Sequence, residues 1–238
     1  MTETIEILNA RDVARGPISI RLSGGQIGWV GPAADMPATP APVRRIDAGG
    51  AWLLPGLCES HLHLFAGGVT LDQLNLLGVE RADAMARALA AYRQGRHDQP
   101  LLGAWSANYE ILGPGTRPDR HALDRMVPYQ PLLVLAVDLH TAWANTAALV
   151  AAGLMDHVPD VTDAEVVIGP DGTPTGELRE GNAMQLVARL SGTGGREGIC
   201  MAGDEPVAPT ADDRARDKAA LRQALDACAA FGITTAVN

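Results

Sequence analysis

The sequence predicts an α/β protein, and three observations carry the prediction. Strand-like runs dominate the first fifty residues, helical spacing takes over after residue 69, and the final stretch reads as a helix followed by a β-branched strand.

The amino-terminal runs are short. "TIEILN" alternates apolar and polar residues, placing Ile5 and Ile7 on one face. "PISIRL" and "QIGWVG" flank Ser23-Gly24-Gly25, where glycine supplies the positive φ that a tight hairpin turn requires. After the proline-rich "PAADMPATPAP", the run "VRRIDAGGAWLLPGLCESHLHL" reads as two strands interrupted at Gly49-Gly50 and Pro55-Gly56.

Met85, Leu89 and Tyr92 then fall at i, i+4 and i+7, with Gly95 as a helix stop. "QPLLVLAVDLH" reads as a buried strand. Asn145 and Gly153 bracket a further helix as N-cap and stop. "AEVVIGPDGTPTGELRE" reads as a hairpin turning at Pro170-Asp171-Gly172. Residues 191–209 are glycine-rich and aperiodic, a loop. Thr210 and Asp213 have capping-box spacing, Leu221, Leu225 and Cys228 form an apolar stripe, and Gly232 closes the helix before "ITTAVN".

Composition narrows the function classes. A chain of 238 residues with 47% hydrophobic and 20% charged residues can bury a core. A formal charge of −9 without a basic cluster argues against a nucleic-acid or membrane partner. There is no apolar run of the ~18 residues a bilayer span needs. The amino terminus lacks the charged and apolar regions of a secretory signal. Three widely spaced cysteines, Cys58, Cys200 and Cys228, suit a reducing compartment. The expectation is a cytoplasmic protein; homo-oligomerisation is left open.

The chemistry concentrates in "LLPGLCESHLHLFAGG", residues 53–68. Residues i and i+2 of a strand point the same way, so His61 and His63 would present both imidazoles to one side and could grip one ion. Imidazole suits zinc and similar divalent metals, which acidify a bound water to a pKa of roughly 7. Gly67-Gly68 would let the strand exit into a loop. HxH by itself is a weak motif.

The run "GGAWLLPGLCESHLHL" resembles the "PGhhDxHxH" segment of the amidohydrolase superfamily. "LDQLNLLGV", "LDRMVPYQPLLVLAVDLHTAWANTAALVAAGL", "GPDGTPTGELREGNA" and "FGITTAV" resemble, in order, further landmarks of its family 3 branch, which includes N-substituted formamide deformylases. Glu59 stands where the family usually has Asp, and Cys58 where an aliphatic is usual. Glu59 keeps a carboxylate that can orient a ligand; Cys58 is expected only to pack.

The resemblance implies an incomplete TIM (β/α)8 barrel of the metal-dependent hydrolase type, with a small β-sandwich portion and a large α+β insertion. Residues 1–52 would belong to the sandwich, 53–68 to the first barrel strand, 69–208 to the insertion, and 209–238 to a helix and second barrel strand. It implies a divalent metal, zinc foremost, on His61 and His63, and hydrolysis of a non-peptide C–N bond in a small amide-type substrate by metal-activated water. Other ligands and the general acid would lie beyond Asn238, so the chain alone would be inactive. A single-metal deaminase of the same superfamily and a non-catalytic remnant are the alternatives.

Three residues remain as secondary candidates. The resemblance implies that Glu180, in "GELREGNA", is a metal ligand or proton-transfer group; by its local context it is an exposed carboxylate at a helix start, where the macrodipole favours it. The resemblance also implies that His140 lines the substrate or supports the site; the alternative is a structural hydrogen bond. Trp105 would line the pocket or pack in the core. Trp143 reads as wall packing. His97, His121 and His157 sit in polar segments without ligand spacing.

Overall fold

A computed structural model describes residues 3–40, 42–198 and 208–237. The chain divides into two compact units, one running to Cys58 and including Gly232–Thr235, the other holding Glu59–Phe231 and the residues from Ala236.

The first unit is a four-stranded sheet in the order β3-β2-β1-β4, from β1 (Thr4–Asp12), β2 (Gly16–Ser23), β3 (Gln26–Gly31) and β4 (Val43–Asp47). The β2–β3 turn uses Gly24 and Gly25 at φ of 59° and 78°, as expected. β1 corrects the simple alternation. Ile5 and Ile7 share a half-buried face, but Thr4 and Glu6 opposite them are buried more deeply. Glu6 is tolerated because its carboxylate accepts from Arg21 Nε at 2.9 Å and Arg45 Nε at 3.0 Å. Ala10, Ile18 and Ile20 form a core too small to stabilise much on its own. Among the described residues these four strands form one sheet.

β5 (Leu57–Glu59) and β12 (Ile233–Ala236) form a two-stranded sheet. Leu57 N–H donates to the Gly232 carbonyl at 2.8 Å, and Val237 N–H to the Glu59 carbonyl at 3.0 Å. The partners advance together, the parallel sense.

The second unit is organised by a six-stranded sheet, order β10-β11-β9-β8-β7-β6, from β6 (Leu74–Asn75), β7 (Leu102–Ala107), β8 (Leu132–Ala136), β9 (Thr141–Ala144), β10 (Glu165–Ile168) and β11 (Pro174–Arg179). β6, β7 and β8 run parallel; β9, β11 and β10 continue antiparallel. Consequently β6, β7, β8 and β11 all end at one edge, where β9 begins.

Helices cover both faces. Leu132, Val134 and Ala136 of β8 join one core with Met85 and Leu89 of α2 (Ala82–Arg93) and Leu123 of α3 (Arg120–Met126). Leu133, pointing oppositely, joins the other with Leu149 of α4 (Thr146–Ala151) and Ala183 and Val187 of α5 (Glu180–Ala188). The Pro170-Asp171-Gly172 turn forms as expected, with Gly169 N–H donating to the Thr173 carbonyl at 2.7 Å.

Asn145 caps α4 and does more. Its Oδ1 accepts from Ala148 N–H and Leu132 N–H, and its Nδ2 donates to the carbonyls of Val127 and Gln130.

Two expectations fail around α1 (Leu64–Thr70) and α6 (Ala211–Ala230). Gly67-Gly68 lie inside α1, not in a loop, because α1 packs so closely on α6 that a Cβ at Gly68 would sit 2.2 Å from the Ala220 carbonyl oxygen. The buried position of α6 is accordingly the small Ala224, while Leu225 is exposed. The capping box at Thr210 and Asp213 is present.

Within the 191–209 segment, Arg196–Gly198 form a 3-10 turn, and buried Arg196 donates to the Asp217 carboxylate at 2.7 and 2.9 Å. Cys200 lies outside the described residues. Among them, no helix is long and apolar enough to cross a membrane.

Candidate functional site

β5 ends at Glu59, so His61 and His63 are not on a strand as the pleat argument requires. The carbonyl of Glu59 and the N–H of Leu62 both pair with Val237, at 3.0 and 2.9 Å. Ser60 and His61 are therefore looped out of the ladder, in the manner of a bulge. His63 follows at the N-cap of α1, with φ −85° and ψ 80°.

A bulge and a helix start nevertheless bring the two imidazoles together. Their ring centroids are 4.9 Å apart at 84°, and both residues are exposed. Glu59 Oε1 accepts from the His61 backbone N–H at 3.3 Å, so this carboxylate fixes the looped backbone and not an imidazole. Cys58 is exposed, so it is not the packing residue expected.

Two adjacent nitrogen donors fit half of a tetrahedral zinc set. Among the described residues there is no group of three or more His, Cys, Asp or Glu placed to hold an ion, so Glu180 does not join the pair. His97, His121 and His157 are exposed, apart from any such group.

Glu180 is engaged elsewhere. Its Oε2 lies 3.0 Å from His140 Nδ1, and its backbone N–H donates to the His140 carbonyl at 2.8 Å. Sequence reasoning treated these two as separate candidates; the structure makes them a pair. The hydrogen bond to Glu180, then that carboxylate's charge, raises the His140 pKa above its ordinary value, and Asp138 adds to the effect.

Asp138 and Tyr109 were missed. Asp138 Oδ1 accepts from His140 N–H at 3.1 Å, an Asx turn that the Asp-x-His spacing signals. The Tyr109 hydroxyl lies 3.1 Å from Asp138 Oδ2 and 2.8 Å from Thr141 Oγ1, and its ring meets the edge of Trp143. No local signal points to Tyr109.

Trp105, on β7, is half-buried, and its buried Nε1 has no hydrogen-bond partner among the described residues; the same holds for fully buried Trp143. Leaving such a donor unpaired costs about 1–3 kcal/mol. Trp143 is wall packing, as expected.

Tyr109, Asp138, His140 and Glu180 follow β7, β8 and β11 or precede β9, at one edge of the six-stranded sheet. Three side-chain-bearing residues there have left-handed backbones: Ser106 at φ 61°, Leu139 at 66° and Glu180 at 64°. Each costs roughly 1–2 kcal/mol, and such strain collects where structure serves function.

In fold the chain is similar to two solved proteins described as metal-dependent hydrolases. It superposes over 98% of its length on 42% of a solved metal-dependent hydrolase from Pyrococcus horikoshii, with a TM-score of 0.60 at 16% identity. A second such hydrolase, from Pyrococcus furiosus, gives 0.59 at 17% identity over 98% of this chain and 43% of that one.

A family model described as amidohydrolase family matches residues 44–238, and the chain belongs to that family. It is 34% identical over 140 residues to the putative amidohydrolase YtcJ of Bacillus subtilis, covering 56% of this chain and 25% of that protein. It is 27% identical over 173 residues to an N-substituted formamide deformylase of Arthrobacter pascens, covering 71% and 32%. The protein LONG AFTER FAR-RED 3 of Arabidopsis thaliana is 32% identical over 145 residues, covering 60% and 24%. The chain thus spans about a quarter to a third of the curated relatives it matches.

Proposed function

We infer that this chain is part of a hydrolase that cleaves a non-peptide C–N bond, an amide foremost, by metal-assisted attack of water. The observation that carries the reading is the His61–His63 pair, rings 4.9 Å apart and exposed at the end of β5, inside the amidohydrolase match.

His61 and His63 would hold the ion, each offering a neutral imidazole nitrogen. Zinc suits such donors best. A divalent ion there supplies Lewis-acid chemistry, polarising a carbonyl and acidifying water. Glu59 holds the backbone of His61, and His63 is fixed by the start of α1. Both ligands are thereby positioned by backbone structure at the mouth of a parallel strand pair.

Metal content decides the matter. The full-length protein should carry stoichiometric divalent metal and release amine from amides, and a His61→Ala, His63→Ala double variant should lose both. Equal metal content in the two proteins would remove the proposed role.

A further inference from the structure

We propose that a cleft at the carboxyl edge of the six-stranded sheet binds a small organic ammonium ion, with Glu80 as the counter-charge and apolar side chains beside it. This goes beyond the hydrolase reading, and nothing in it depends on a metal or on turnover.

Topology builds the cleft from three adjacent parallel strands. Leu77, Val79 and Glu80 follow β6, Ser106 and Asn108 bracket the end of β7, and Val137 follows β8. Open α/β sheets bind ligands outside the carboxyl ends of their strands. Backbone bonds fix the walls. Leu76 N–H donates to the Trp105 carbonyl at 2.9 Å and Val137 N–H to the Ala107 carbonyl at 3.0 Å, so the segments after β6 and β8 are both tied to β7. Between those two bonds the register slips: Ala104 faces Val134 and Ala107 faces Ala136, one extra residue on β7. Ser106 lies in that bulge with a left-handed backbone at φ 61°. Bulges collect beside binding sites, where they re-aim a side chain.

The charge is one-sided. Glu80 is exposed, its carboxylate makes no hydrogen bond or ion pair among the described residues, and no Lys, Arg or His lines the cleft. Arg81, the cation beside it in sequence, donates to Asp83 at 3.0 Å. The Ser106 hydroxyl also lacks a partner among the described residues. A carboxylate and a hydroxyl oxygen can accept, and an ammonium group offers three donors. The net charge of −9 adds long-range attraction for cations. An anion would meet Glu80 with no lining cation to offset the repulsion. The volume of ≈ 310 Å³ suits a compact molecule. Leu77 and Val137, 70% and 52% exposed, leave apolar surface for its carbon chain.

The test titrates the full-length protein with butylammonium chloride and follows the backbone amides of Gly78 and Ser106 by NMR. Butan-1-ol, sodium butyrate and ammonium chloride are the comparison ligands. We expect saturable shifts with butylammonium and affinity at least about fivefold above that for butan-1-ol, the scale of one partly exposed ion pair. Bare ammonium should bind more weakly because it buries no methylenes, and butyrate should not bind. About 1 M sodium chloride should shrink the preference for the amine over the alcohol. Glu80→Gln should bring amine and alcohol within about twofold. Asp226→Asn, which removes the same charge from an exposed position on α6, should leave the preference unchanged. Val137→Lys places a tethered ammonium on the cleft wall and should abolish butylammonium binding. Parent-like melting shows that each variant is folded. No saturable shift, butyrate or bare ammonium binding as tightly as butylammonium, or a preference that survives Glu80→Gln overturns the proposal.

Discussion

Glu180 and His140, forty residues apart in sequence, are joined twice. The carboxylate meets the ring nitrogen at 3.0 Å, and the backbone N–H of Glu180 donates to the His140 carbonyl at 2.8 Å. The second bond extends the β9–β11 pairing one residue beyond Arg179 and Thr141, and Glu180 then turns into α5 with φ 64°. Side chain and backbone together tie the segment after β8 to the start of α5.

The pair has a pH signature. Its raised folded-state pKa means that it contributes stability fully present below the unfolded value, near 6.5, and lost as pH rises through the folded value. Both side chains are more than half exposed, so salt screens the effect. NMR titration should place His140 above 6.5 in the parent and lower in Glu180→Gln, with the gap shrinking at about 1 M salt. Identical titrations in the two proteins would disprove the coupling.

Gly67 and Gly68 make a matched test of helix packing. A Cβ at Gly67 meets nothing within 4 Å, whereas one at Gly68 meets the Ala220 carbonyl oxygen at 2.2 Å. Gly67→Ala should stabilise by about 0.5–1 kcal/mol through reduced unfolded-state entropy. Gly68→Ala should destabilise by about 3 kcal/mol through overpacking. Urea denaturation of each measures the difference, and equal effects would mean that α1 does not pack on α6.

Asn145 is buried and satisfies both ends of its amide. Asn145→Ala removes a helix cap and strands the Leu132 N–H and the Val127 and Gln130 carbonyls. The loss should be about 3 kcal/mol, seen as a lower urea midpoint at unchanged slope. A loss under ~0.5 kcal/mol, the range of an ordinary surface substitution, would show that water replaces the amide.

Asp213 is held at about 2 by the Thr210 backbone N–H, then by the Thr210 hydroxyl, with Arg216 and Arg196 assisting. A depressed carboxylate contributes stability above its unfolded value, near 3.9, and loses it as pH falls through about 2. Asp213→Asn should therefore lower the urea midpoint by a constant amount above about pH 4, and that difference should fade toward about pH 2. A difference independent of pH would rule out the charge as its source.

What could be read from the residues alone was what neighbours in sequence decide. Asn145 and Ala148, Thr210 and Asp213, Gly24 and Gly25, and the Pro170-Asp171-Gly172 turn all act within four residues, so their chemistry is local and survives without a fold. The adjacency of His61 and His63 belongs here too, although it comes from a bulge and not from the pleat.

Tertiary structure decided the rest. The helix through Gly67-Gly68 and the choice of Ala224 over Leu225 follow from how closely α6 approaches α1, which no periodicity records. The burial of Arg196 depends on Asp217, and the place of His140 on Glu180. The edge that carries Ser106, Leu139 and Glu180 exists only because β7, β8 and β11 end on the same side of the sheet. Contacts across forty residues are selected by the packing of whole elements, and a local window holds no information about which elements will meet.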